Sequence, residues 1–155
     1  MNMIRSILSS VVEGVIKRFS GSGRLNETLT DREYFQHFGF TSIPLAGAEV
    51  IAINENNNII MIASDDRRCR PALQPGEACV YNAFGDYVKI DKNRNITVVG
   101  GTSVTIQSPA VTIEGINGGQ VDLTINGNPA ITGNLSVTGN ITATGSITGN
   151  PVVNG

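Results

Sequence analysis

The twenty residues from Ile131 to Asn150, ITGNLSVTGNITATGSITGN, alternate without a break. Thr132, Asn134, Ser136, Thr138, Asn140, Thr142, Thr144, Ser146, Thr148 and Asn150 are polar and uncharged, and the odd positions are apolar or glycine. A period of two signals β-strand with one buried face, because successive side chains of a strand point to opposite sides. A second period of six lies on top of it, carried by Gly133, Gly139 and Gly145. Glycine lets a chain bend sharply or approach another backbone closely. The stretch therefore reads as short strands joined by corners, a β-solenoid or β-prism pattern.

Such a repeat cannot bury its inner face alone, since it offers only two or three apolar side chains per six residues. Solenoid repeats become stable when neighbours stack and close a continuous core. Three copies wound about one axis would each supply one wall of a triangular interior, and would leave no strand edge open to aggregation. The expectation is a homotrimeric, intertwined β-helix over 101–155. Its inward-facing residues are Val121, Leu123, Ile125, Ile131, Leu135, Val137, Ile141, Ala143 and Ile147.

The two halves of the chain differ sharply in charge. All eleven Lys and Arg lie at or before Arg94, and after Gly100 only Glu114 and Asp122 are charged. A formal net charge of −2 gives no electrostatic reason to expect nucleic acid as a partner. Aromatics are 5% of the residues and tryptophan is absent, which excludes a large globular core. No apolar run reaches eighteen residues, the length of a membrane-crossing helix. Residues 1–12 lack the continuous apolar core and cleavage site of a signal peptide. Cys69 and Cys79 form no disulfide framework, and both are expected to stay reduced, with folding in the cytoplasm.

In chain order, Met3, Ile4, Ile7, Leu8, Val11 and Val15 share a helical face, so residues 1–10 read as a short amphipathic helix packed against the next domain. A strand is expected over Glu13–Phe19, closed by Gly21-Ser22-Gly23, and a ragged hairpin over Asn26–Asp31. Tyr34 to Phe40, YFQHFGF, holds half of the aromatics. Next come strands at Ala48–Ile53 and Ile59–Ala63 around an asparagine-rich turn, which suits the left-handed angles that Asn tolerates. A Pro-Gly turn and strand lie in Leu73–Tyr81, followed by strands at Tyr87–Ile90 and Asn95–Val99 about the turn Asp91–Arg94. Several short strands with one small helix indicate an OB-fold-like barrel. The expected division is 1–80 for helix plus barrel, 81–100 for a short-strand neck, and 101–155 for the needle.

Chemistry-bearing candidates are few. OB-fold aromatics can stack bases, but no basic stripe accompanies Tyr34–Phe40, so they are read as core or interface. His37 is the sole histidine, with no second ligand at metal spacing and no nucleophile beside it. Asp65-Asp66-Arg67-Arg68 reads as a turn with local ion pairs or an interface contact rather than as paired carboxylates for catalysis or metal. No catalytic residue, metal site or cofactor is assigned.

The segments FQHFGFTSIPLAGAEV and IIMIASDDRRCRPALQPGEACVYNAFGD, in this order and spacing, resemble the baseplate assembly protein V family of contractile-tailed phages, in its Mu-type central-spike branch. The resemblance covers about a third of the chain, and the repeat after Gly101 matches the family needle in kind rather than residue by residue. It implies an N-terminal OB-fold bound to the baseplate hub protein and a trimeric β-helical spike that touches and pierces the host outer membrane. Its place would be the virion tail, after assembly in the host cytoplasm. Many members end in a His-x-His apex that binds iron. This sequence has no histidine after His37 and ends in NPVVNG, so no metal ligand carries over and the tip is closed differently or lies elsewhere.

Two other functions compete with a structural spike. A left-handed β-helix acyltransferase also uses six-residue repeats, but it needs a histidine at its cleft, and the repeat has none. A trimeric binding module, with an OB-fold recognising sugar or nucleic acid on a β-helical stalk, would normally carry its head at the far end of the stalk.

Overall fold

The computed structural model describes residues 2–56 and 58–145. Five strands form a closed barrel: β1 (Asn2–Val12), β2 (Arg18–Ser22), β3 (Thr28–Tyr34), β4 (Glu49–Glu55) and β5 (Asn58–Asp65). Their spatial order is β1-β2-β3-β5-β4, and β1 pairs with β4 to complete the ring. All pairings are antiparallel except β3 with β5. This is a Greek-key barrel, the architectural class to which OB-folds belong. A second sheet comes next, of β6 (Ala78–Tyr81), β7 (Tyr87–Ile90) and β8 (Ile96–Val99) in antiparallel order β6-β7-β8.

The N-terminal helix expected from the sequence is instead the longest strand of the barrel. Ile4, Ser6 and Leu8 point inward, while Met3 and Ile7 stand outside at 69% and 47% exposure. Ile4 and Leu8, four residues apart, satisfy both a helical and a strand period, so periodicity over so short a window cannot decide; Val11 joins them against the core through the register shift after Leu8. Pairing decides it. As a strand, β1 gains ladders on both sides, Ile4 opposite Ala52 on β4 and Val11 opposite Phe19 on β2. The second strand also starts later than expected, at Arg18, because Gly14–Ile16 form the bend that turns the chain back.

The barrel core is Ile4, Leu8, Phe19, Leu29, Tyr34, Ala48, Val50, Ala52, Ile59 and Met61. The alternating residues of β4 and β5 supply much of it, as a strand buried on one face must. Register shifts in the β1–β2, β2–β3 and β4–β5 pairings curve the sheet into closure. At Gly21 the closure leaves no room for a side chain, since a Cβ there would lie 2.6 Å from the Ile7 carbonyl oxygen. Beside it, the buried Ser6 hydroxyl donates to the Ser22 carbonyl.

The chain divides into two compact units, Met1–Ile106 and Gln107–Gly155. In the second, the described residues hold one 3₁₀ turn, Ile116–Gly118, and no strand. The alternating apolar residues are all uncovered there: Val121 41%, Leu123 67%, Ile125 61%, Ile131 66%, Leu135 65%, Val137 46% and Ile141 67% exposed. Ala143, Gly133, Gly139 and Gly145 are exposed too, and Ile147 lies outside the described residues. The described residues of this unit do not display the β-helix expected from the sequence.

Candidate functional site

The neck sheet presents two unlike faces. Reading across the ladders, Ala78 lies opposite Ile90 and Ile90 opposite Ile96, while Val80 faces Val88 and Val88 faces Val98. These six side chains share one face, because directly opposed residues and alternate residues of a strand point the same way. All six are aliphatic. None is covered: Val80, Val88, Ile90, Ile96 and Val98 are 62%, 43%, 49%, 70% and 54% exposed, and Ala78 is exposed with them.

The opposite face is half-buried on β6 and β7, where it is built from Cys79, Tyr81, Tyr87 and Lys89, and open on β8, where Thr97 and Val99 are exposed. It is tied down by chemistry. Glu77, whose side chain is 6% exposed, pairs with Lys89 at 3.0 Å. The Gln74 backbone N–H, and after it the Lys89 ammonium, hold the Glu77 carboxyl below its ordinary range. Burial pushes the Tyr81 phenol up. Asp86 accepts from the Asn82 amide at 2.8 Å and from the Gly101 N–H at 2.6 Å, and these two bonds lower its pKa in that order. Asp91 closes the β7–β8 turn through Asn95 in the same manner. The sheet is thus fixed on one side and bare on the other.

The remaining candidates from the sequence fall out differently. Asp65 and Asp66 are engaged by their own neighbours: Arg68 grips Asp66 through Nε at 2.8 Å and Nη2 at 2.6 Å, and Arg70 holds Asp65 at 2.8 Å. The Arg68 guanidinium keeps Asp66 below the usual carboxylate range. The expectation of local ion pairs matches this geometry. His37 is exposed. Cys69 and Cys79 are free thiols, turned toward the Asp66 and Val80 carbonyls at 3.6 and 3.7 Å. Among the described residues no cluster of three potential metal ligands occurs. Of the Tyr34–Phe40 aromatics, Tyr34 enters the core, whereas Phe35, Phe38 and Phe40 stand out from the barrel at 64%, 104% and 67% exposure.

The neck face is a site that sequence reasoning missed, although its signal is present. Ala78, Val80, Val88, Ile90, Ile96 and Val98 alternate with period two, but three short strands broken by turns give a weaker signal than a twenty-residue run.

Residues 5–68, the span from β1 to just beyond β5, match the family model described as Bacteriophage Mu Gp45, N-terminal. The chain is 26% identical to the baseplate puncturing device gp45 of Escherichia phage Mu, over 73% of its own length and 64% of that relative's. It therefore spans just under two thirds of the relative. Over its barrel, the chain is similar to the Mu-type family of baseplate spike proteins.

Proposed function

We propose that this protein is the central spike component of a contractile phage tail baseplate, acting as a homotrimer that perforates the host outer membrane when the tail contracts. The observation that carries the reading is the bare aliphatic face of the neck, together with the uncovered apolar residues from Val104 to Ile141. The relative's description as a puncturing device supports the mechanical role.

Magnitudes support self-association. Covering a half-exposed Val or Ile is worth roughly 1–1.5 kcal/mol, so the Val and Ile residues of the neck contribute about 5–8 kcal/mol per chain. Association itself costs about 4–15 kcal/mol. The neck alone is marginal. The downstream run, with more such residues than the neck, makes the oligomer obligatory. Three chains suit a narrow alternating repeat because each wall of a triangular prism needs only one short strand per chain. The barrel is left to dock on the baseplate hub.

The mechanism asks little chemistry of the protein. Driving a needle through a bilayer requires stiffness, a narrow section and an exterior without large charges, and the Thr, Ser and Asn of the even positions supply such an exterior. No residue is assigned a catalytic role.

Deleting this chain from the phage that encodes it should give particles that adsorb but deliver no genome, with no density at the baseplate centre in electron micrographs. Infectious particles without it would contradict the proposal.

A further inference from the structure

At one end of the barrel, the β1–β2 turn and the β3–β4 connection are locked together by one buried cation. The Lys17 side chain is 8% exposed and its Nζ pairs with Glu13 at 2.9 Å. It also donates to Gln36 Oε1 at 3.0 Å, Thr41 Oγ1 at 2.7 Å and the Ser42 carbonyl at 3.0 Å. Gln36 is bonded in turn to the Ser42 carbonyl and hydroxyl, and Gly39 takes the left-handed angle, φ 85°, that the tight loop needs. Leaving the buried Lys17 ammonium unpartnered here would be costly, so the loop is held in one shape. That fixed shape displays apolar surface. Val15, Ile16, Phe35 and Phe40, with Glu13 and Glu33, line an open cleft of about 350 Å³. Ordered, exposed aromatics of this kind are what binding sites use, since little conformational entropy remains to be lost.

At the other end of the barrel stands the β2–β3 hairpin, opposite because successive strands run antiparallel. Its tip is closed by the bonds Gly23 N–H to Glu27 O at 2.7 Å and Glu27 N–H to Arg24 O at 2.8 Å. Asn26 adopts φ 63° to make the turn. The tip holds Leu25 out at 94% exposure. Among the described residues, neither the Arg24 guanidinium nor the Glu33 carboxylate has an ion-pair partner.

We infer that the Arg24-Leu25 tip of one copy seats in the Phe35–Phe40 cleft of the next, with Arg24 paired to Glu33. The two surfaces lie at opposite ends of one barrel, so they cannot meet within a chain. Between copies they make a heterologous contact, which closes into a ring when the rotation fits. The inference rests on the threefold reading above, in which the neck and needle set that rotation. The carboxylates beside the cleft disfavour anionic lipid headgroups as its occupant.

Disulfide trapping in the full-length trimer tests it. Leu25→Cys and Phe35→Cys are placed together in a Cys69→Ser, Cys79→Ser background, at two exposed positions where folding is not at stake. A disulfide forms only if the two Cβ atoms approach within about 3.5–4.5 Å. Mild oxidation is expected to give covalent species of two and three chains on a non-reducing denaturing gel, whereas either cysteine alone gives none. Arg24→Glu should cut the yield several-fold, and adding Glu33→Arg should restore it. A protein of trimeric mass with no interchain disulfide would overturn the docking while leaving the spike reading intact. A protein of single-chain mass would overturn both.

Discussion

Ile141→Asp is expected to dissociate the needle, while Thr142→Asp, one residue away, leaves it intact. In the single chain both positions are exposed, Ile141 at 67%, so neither substitution has a reason to disturb an isolated chain. The difference arises only on assembly. A threefold needle brings each substituted position together three times, and residue 141 faces inward by the alternation. Three carboxylates would then be buried within a few ångströms, each at a cost of several kcal/mol even after relaxation. At 142 the same charges face water, where salt screens them over about 8–10 Å. A strand register makes neighbours opposites. Thermal melts in detergent should show the Ile141→Asp needle lost and the Thr142→Asp needle near wild type. Equal behaviour would show that the faces are assigned wrongly.

Phe19→Ala is expected to take about 3–5 kcal/mol from the barrel, the range for emptying an aromatic site in a packed core. Phe19 is 1% exposed, and it is the largest of the fully buried side chains. Small domains have only about 5–15 kcal/mol of stability, so much of the barrel's margin would go. Phe38→Ala removes the same side chain from a position at 104% exposure, and should change stability by less than about 0.5 kcal/mol. Urea unfolding of the two variants checks the contrast. A comparable loss in both would mean that Phe38 is covered in the assembled protein.

The barrel and the neck are readable in the sequence wherever turns announce themselves. The Asn-rich turn between β4 and β5, the Pro-Gly turn before β6 and Asp91–Arg94 before β8 each fall within a few residues of their expected places, because turn chemistry is local. The first strand does not, since Ile4 and Leu8 fit two periods, Val11 fits the helical one, and only long-range pairing with β2 and β4, with its register shift after Leu8, makes the segment a strand. The Lys17 clamp could not be anticipated either. Its acceptors Gln36, Thr41 and Ser42 come from another loop, brought near only by barrel closure, and nothing local distinguishes Lys17 from a solvated lysine. The face of the neck is present in the pattern of Val80, Val88, Ile90, Ile96 and Val98 but is recognisable only once the ladder register aligns them.

In the proposed homotrimer, the apolar faces of the neck and the C-terminal segment are covered by other copies of the same chain. Light scattering coupled to size exclusion, on the full-length protein at micromolar concentration, measures this directly. A single species of about three 16.4 kDa chains is expected, undiminished on dilution and lost when 101–155 is removed. A stable full-length species with the mass of one chain would contradict it.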